Sequence, residues 1–500
     1  MNHDSPWRRP RLALLGLSVA FGTACGGDAP GTDAGPAPDV PLRWGAADVP
    51  HVADSLPVDT FEPRADTPRR PADASAGPDA AVADVVMTDS GPAGPEDAAH
   101  PVDTGPPGVA PGSLVAKVTG QTISGPEGVR TPVVTWDPAS SVFVVAYGYV
   151  VPDSFRTRVV ALRWDGALVA SPSLDVEGVT ETGQYSLERE IAARDDGPSS
   201  LLLVLEDDRN GNASPREIWG QPLTAGGAPS VAQAGPSFRI TDTPDREEYA
   251  PAVAWERSGG TFFVTYSDDR DVPAVGPEAR HLFGKTVAPD GTLGPEVRVG
   301  GESYWQMPAS VAGSEGSGRF LVAYGDYDLV GGTLDCGYRA RLLDATTGEP
   351  IGGPIELARI GNTAYERPTL AWSQARLAWL VVWGHPKTLR TSWVALDGTV
   401  LETGVVTLSP ADGAGVPRVV SVPATGGFAL GYHAWETTDA FVQELDGLGH
   451  PAGPPKTVNL EPPWLGTFYN PVAAAGDAPV VIAVPSLNWA TTAATVFGAP

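Results

Sequence analysis

The chain is built on a recurring unit, and recurrence of this kind constrains the fold more than any single motif does. The clearest copy occupies residues 249–300. It holds an apolar run at 251–255, a second at 261–266, the cluster Asp268, Asp269 and Arg270, a run ending at Val287, a turn at Asp290 and Gly291, and a last run at 296–299. Prolines open six copies, at Pro132, Pro251, Pro308, Pro368, Pro417 and Pro471, and a degenerate copy opens near Ile191. The copies lie about 50 to 60 residues apart, the spacing of four-stranded propeller blades. Tryptophan follows the proline at a fixed distance in three of them, as Trp136, Trp255 and Trp372.

The second run of each unit (142–147, 201–205, 261–266, 319–324, 378–383, 427–432 and 479–484) is continuously apolar. Continuous rather than alternating apolarity predicts strands covered on both faces. Asp165-Gly166, Asp290-Gly291, Asp397-Gly398 and Asp446-Gly447 predict two-residue hairpin turns between third and fourth strands, since Asp-Gly supplies positive φ. No stretch is patterned as an amphipathic helix. The last unit ends without a fourth strand, whereas residues 114–123 form a strand-like run ahead of the first proline. Pairing 114–123 with the run near 492–497 would close a ring and remove the exposed edges. The expected fold is therefore all-β, a seven-bladed β-propeller over residues 112–500 closed by its N-terminal strand.

The chain ahead of it reads differently. Arg8, Arg9 and Arg11 precede an apolar stretch at 12–21 that is too short to span a bilayer and has the form of a secretory signal. The small residues that lead into Cys25 resemble the lipobox of bacterial lipoproteins, with Gly22 where leucine is usual. That resemblance implies a signal peptide over 1–24 and a lipidated Cys25 at the mature N-terminus; an ordinary cleaved signal with an incidental cysteine is the alternative. Residues 25–111 are Ala, Pro, Gly, Asp and Thr with few large apolar side chains. Such a segment cannot bury enough surface to offset its ordering entropy, so it is expected to be a disordered acidic linker. Cys25 and Cys336 are the only cysteines, which excludes a disulfide framework. The formal charge of −27 argues against nucleic acid and against adsorption to an anionic membrane face. Membrane contact is expected through the N-terminal lipid alone, on an exported protein of the cell envelope at the outer membrane or surface.

Residues Pro251 to Trp255, Phe263 to Tyr266, the Asp268-Asp269-Arg270 cluster and Val287 to Gly291 resemble the repeats of secreted bacterial propeller lipoproteins, many of them uncharacterised. The likeness covers about residues 114–500 and implies architecture. It brings no catalytic residues with it. The Ser-x-Asp-x-Gly-x-Thr-Trp box of sialidase-type propellers and the paired glycines of kelch repeats are both absent.

In a propeller the loops from fourth to first strand and from second to third strand emerge on one face. Beside the opening prolines these loops carry Arg130, Glu190, Tyr249, Trp305, Gln306, Tyr365, Glu366, Phe468 and Tyr469. Tyr249, Trp305, Tyr365, Glu366 and Tyr469 are the ligand-binding candidates: ring faces stack on sugars and polar edges orient them. The competing reading is that the rings cap strand ends. Asp207-Asp208-Arg209, Asp268-Asp269-Arg270 and the Asp326 and Asp328 pair recur in three units, so they read as loop braces rather than as a glycosidase acid and base. No cofactor is implied. Residues 208–214 alternate oxygens as a calcium loop does, but Ala213 stands where glycine is required and Trp219 where glutamate is. His281, His385 and His433 lack zinc spacing, and Cys336 reads as a lone loop thiol. The expected function is non-catalytic binding of carbohydrate or protein. The alternatives are a polysaccharide-degrading hydrolase or lyase, and a structural envelope component.

Overall fold

The computed structural model describes most of residues 110–498; 1–109 and the loop segments 124–128, 177–187, 208–215, 271–279, 362–366, 407–413 and 459–469, with several shorter ones, lie outside the described residues. The signal and nearly all of the linker therefore fall outside them. What is described is a seven-bladed β-propeller, seven antiparallel sheets each built around four strands, in sequence order in all but the closing blade. The only helical turn in the described residues is the 3-10 segment Pro423–Thr425.

Blade 1 runs through Val129–Asp137, Val142–Val151, Ser154–Arg163 and Leu174–Asp175. Blades 2 to 6 begin with the inner strands Arg189–Ala193, Glu248–Glu256, Ser310–Gly313, Thr369–Ser373 and Ala414–Val422. Blade 7 takes Val472–Ala474, Val481–Ala483 and Thr491–Gly498 from the C-terminus and Val115–Thr122 from the N-terminus. The closing pair is antiparallel, with Val115 opposite Gly498 and Thr122 opposite Ala493, as the missing fourth strand predicts. Glu444 of blade 6 fixes the start of the closing strand by accepting hydrogen bonds from the Gly112 and Leu114 amides at 2.7 and 3.1 Å.

The apolar runs explain why the ring holds. All seven residues of the second strand of blade 2, Leu201–Asp207, are buried. Seven hydrophobic clusters account for the core, and each draws side chains from two successive blades, including one between blades 7 and 1. Each sheet is thus sandwiched by its neighbours, and no blade can bury its apolar faces alone. The recurring tryptophans sit at the far ends of inner strands and meet an aromatic directly across the hairpin. Trp136 packs on Phe143, Trp255 on Phe262 and Trp372 on Trp379, each with ring centroids 4.8 Å apart.

The opening prolines have a structural consequence. The residue before them is left-handed at Thr131 (φ 36°), Ala250 (φ 53°) and Val416 (φ 46°). At the same places the pairing register jumps, between Arg130 and Val133, Tyr249 and Ala252, and Gly415 and Arg418. Proline has no N–H for the ladder, and a bulge is where a strand can carry one.

Two expectations need correction. The Asp-Gly turns are three-residue loops: the Gly291 amide donates to the Ala288 carbonyl at 2.9 Å and Ala288 N–H to Thr292 at 2.9 Å. Gly166, Gly291 and Gly398 alone adopt positive φ there, while Asp165, Asp290 and Asp397 accept from the amide two residues on. In blade 6 the loop is shifted, with Gly449 rather than Gly447 left-handed. Cys336 is no loop thiol either; it lies inside the strand Thr333–Asp344, buried opposite Tyr327.

Candidate functional site

The first halves of the inner strands face the end of the channel where the fourth-to-first and second-to-third connections emerge, and there the repeat is broken by charge. Strand pairing puts Glu188 and Arg367 at equivalent places in blades 2 and 5, and Glu190 and Arg418 at equivalent places in blades 2 and 6. They meet across the axis. Arg367 Nη1 lies 3.3 Å from Glu188, its Nε donates to the Ala309 carbonyl at 2.6 Å and its Nη2 to the Pro251 carbonyl at 2.9 Å. One side chain, only 9% exposed, therefore ties blade 5 to blades 2, 3 and 4. Arg418 and Glu190 form a looser second pair at 4.0 Å, and Arg189 donates to the Thr131 hydroxyl at 2.8 Å.

Carboxyls behind this lock are sealed in the wall. Glu206 is buried, accepts from the Ala250 amide at 2.6 Å and has the Arg216 guanidinium 3.6 Å away. Burial, helped by the Glu188 charge, pushes its carboxyl up to about 8. Burial, then the Asp268 charge, raises Glu248 to about 8 as well. Both hold their protons at neutral pH. Neither is open to a substrate, since Glu206 is 2% and Glu248 0% exposed.

Beside them lies Tyr249, half-buried at the start of the inner strand of blade 3. The Arg280 guanidinium sits 3.8 Å from its ring centroid and that of Arg216 5.4 Å away. The Arg280 carbonyl accepts the Gln306 amide at 2.9 Å. Gln306, buried, also accepts from the Leu282 amide, so it braces blade 3 against blade 4. Trp305 precedes it in the short strand Trp305–Gln306, opposite Tyr327. Tyr249 and Trp305 therefore belong to neighbouring blades on the same end of the channel. Tyr365, Glu366 and Tyr469 lie outside the described residues, as do Asp208, Arg209 and the calcium-like segment.

The acidic clusters that are described act as braces. Asp268 is fully buried and accepts from the Arg270 amide and Nε, both at 2.6 Å, while Arg270 also reaches Glu296 and covers Phe283. Asp326 is held by Arg339 at 2.9 Å. Among the described residues no group of three or more His, Cys, Asp or Glu is placed to hold a metal ion. His433, in the strand Gly427–Ala434, is buried, and burial lowers it to about 4.

The other end of the channel is a cavity of about 500 Å³ lined by the later halves of all seven inner strands, including Trp136, Trp255, Trp372, Ala193, Ala312 and Ala474. Its rim carries Asp195, which accepts from the Trp255 indole at 3.0 Å and pairs with Arg257 at 2.8 Å.

The cross-axis residues were not singled out as a set by the sequence, apart from Glu190. Their signal is charge next to an opening proline, Arg367 before Pro368 and Arg418 after Pro417, answered by Glu188 and Glu190 in the one unit without that proline.

No family model matches this chain, and no curated protein matches it. Among solved structures, the polysaccharide lyase Uly1 is 8% identical with a TM-score of 0.49, covering 77% of this chain and 100% of that one. The Dos1 propeller is 10% identical with a TM-score of 0.39 over 77% and 94%. TolB from Acinetobacter baumannii is 13% identical with a TM-score of 0.31, over 56% of this chain and 54% of its own. The chain thus matches about half of the length of TolB. These likenesses carry no argument about what this chain binds or does.

Proposed function

We propose that this chain is an exported, lipid-anchored surface propeller of the secreted bacterial lipoprotein kind, and that its channel mouth is a non-catalytic binding site for carbohydrate or protein. In this reading Cys25 carries the lipid, residues 25–111 are the spacer between membrane and propeller, and Tyr249, Trp305, Tyr365, Glu366 and Tyr469 are the ligand-binding residues. The observation that carries the binding reading is the Arg367 bridge, which spans the axis beneath the mouth and ties blade 5 to blades 2, 3 and 4. The alternative of a hydrolase or lyase needs two accessible carboxyls with displaced proton affinity, and the two strongly raised ones nearest the mouth are walled in. Carbohydrate is favoured over protein by a half-buried tyrosine with polar groups around it.

A glycan array read for binding, with product detection on the same polysaccharides, tests this. Binding without product is expected; turnover would move the chain to the enzyme class. For the anchor, Cys25→Ser should leave the membrane fraction, since the acyl chains are the only attachment the sequence offers; continued membrane association would contradict it.

A further inference from the structure

Most carboxylates around Tyr249 are taken by a guanidinium, exposed Glu247 being the exception, whereas one guanidinium on the Tyr249 ring has no carboxylate of its own. Asp268 is held by Arg270, Asp269 lies 3.9 Å from Arg246, and Glu217 is paired with Arg239. Glu188 is taken by Arg367, and Arg216 faces Glu206. Arg280 stacks on Tyr249 and has no carboxylate partner among the described residues. The Tyr249 hydroxyl likewise makes no hydrogen bond among them. Glu206 and Glu248 are sealed in the wall and burial raises both carboxyls, so Arg216 beside Glu206 adds positive charge at the ring together with Arg280.

A guanidinium over a ring face is restrained by it while its N–H groups stay available to another partner, and Arg280 is only half-buried. Those N–H groups match a carboxylate in a two-point, charge-assisted contact. We propose that Arg280, held by Tyr249 and supported by Arg216, binds the carboxylate of a uronic acid residue in an anionic saccharide, with the Tyr249 hydroxyl on a sugar hydroxyl. This rests on the mouth being a carbohydrate-binding surface, and it names the class of sugar. The chain as a whole is strongly acidic, with a formal charge of −27, so an anionic ligand needs such a local surplus of positive charge to approach.

The test is calorimetric titration of the intact chain with an oligogalacturonate and with its methyl ester, which keeps size and hydroxyls but removes the charge. The acid should bind about tenfold or more tighter than the ester, since hydrogen bonds to charged groups are the strong ones. Arg280→Ala should lose about the same factor and Arg280→Lys less, because lysine keeps charge without the fork. Tyr249→Phe should weaken binding while keeping the stack, which separates the hydroxyl from the ring. The melting temperature of Arg280→Ala should stay near that of the wild type, because the guanidinium carries no ion pair among the described residues. Equal binding of acid and ester, or an unaffected Arg280→Ala, overturns the uronate assignment and leaves the mouth reading standing. Binding of neutral glycans alone does the same. Absence of binding to any saccharide overturns both.

Discussion

The two ends of the channel are made by the same seven strands and differ in almost everything else. At the mouth, the first halves of the strands put charges on the axis, and Arg367 and Arg418 find glutamates of blade 2 across it. At the far end the later halves carry alanines and tryptophans around a cavity of about 500 Å³. The far end keeps the repeat: each tryptophan is matched within its own blade by the aromatic across the hairpin. The mouth breaks it, because a charge aimed at the axis needs a partner in one particular, non-adjacent blade. Small side chains can be repeated around a ring at no cost, whereas a buried guanidinium without its carboxylate costs several kcal/mol. Departure from the repeat is therefore where specific demands on the chain are concentrated.

The largest effect should come from removing what both ends share. Deleting residues 112–125 takes away the fourth strand of blade 7 and the Leu114 and Ile123 side chains in the two clusters that flank it. Thermal unfolding should fall by more than about 4 to 5 kcal/mol, or lose its single transition. An unchanged melt would mean that the ring does not depend on closure.

One substitution at each end then separates them. Arg367→Ala should cost about 3 to 5 kcal/mol by stranding Glu188 and two carbonyls. Adding Glu188→Gln should recover part of that, giving a coupling of about 0.5 to 3 kcal/mol in a double-mutant cycle. Trp255→Ala should cost about 3 to 5 kcal/mol through lost packing on Phe262. It should show no coupling to Glu188. Measurable coupling between Trp255 and Glu188 would mean the two ends are not independent.

The pH dependence is a smaller, directional test. Glu206 and Glu248 bind protons in the folded chain up to about 8, against an ordinary 4.5. The folded state keeps protons that the unfolded chain releases, so stability is full below 4.5 and declines as pH rises toward 8. His433 works the other way: with its folded value at about 4 against 6.5, its contribution is lost as pH falls from 6.5 to 4. Denaturation of Glu206→Gln across the upper window should show a shallower decline than wild type. An identical slope would mean that the carboxyl is already charged. The smallest effect is at the far-end hairpins, where Gly291→Ala at φ 88° should cost about 1 kcal/mol, read from the denaturation midpoint.

What was legible in the sequence follows the same division. Periodic features report the fold because every unit repeats them: the opening prolines, the continuous second strands, the tryptophans and the run at 114–123 that pairs with the C-terminal strand. Turn chemistry was half legible. Asp290 and Gly291 mark the place, but Pro289 belongs to the loop too, as Trp164 and Leu396 do in blades 1 and 5, so the loop is one residue longer than the dipeptide implies. At the mouth, Tyr249 and Glu190 stood out as unusual residues in loops, whereas Arg367, Arg418, Arg280 and Arg216 did not. Arg280 and Arg216 reach Tyr249 from 31 and 33 residues away, and Arg367 and Arg418 reach Glu188 and Glu190 from 179 and 228, so the last two pairs meet only in the closed ring. Glu206 was hidden by its setting, as the end of an apolar strand whose burial gives it an unusual proton affinity.

The central claim is that ligands meet the broken-repeat end of the channel. Hydrogen exchange of the chain with and without a bound oligosaccharide tests it most directly. Amides at 188–190, 246–250 and 280–282 should gain protection on binding, while those at 134–138, 253–257 and 370–372 should exchange as before. Protection confined to the alanine and tryptophan end would contradict the account.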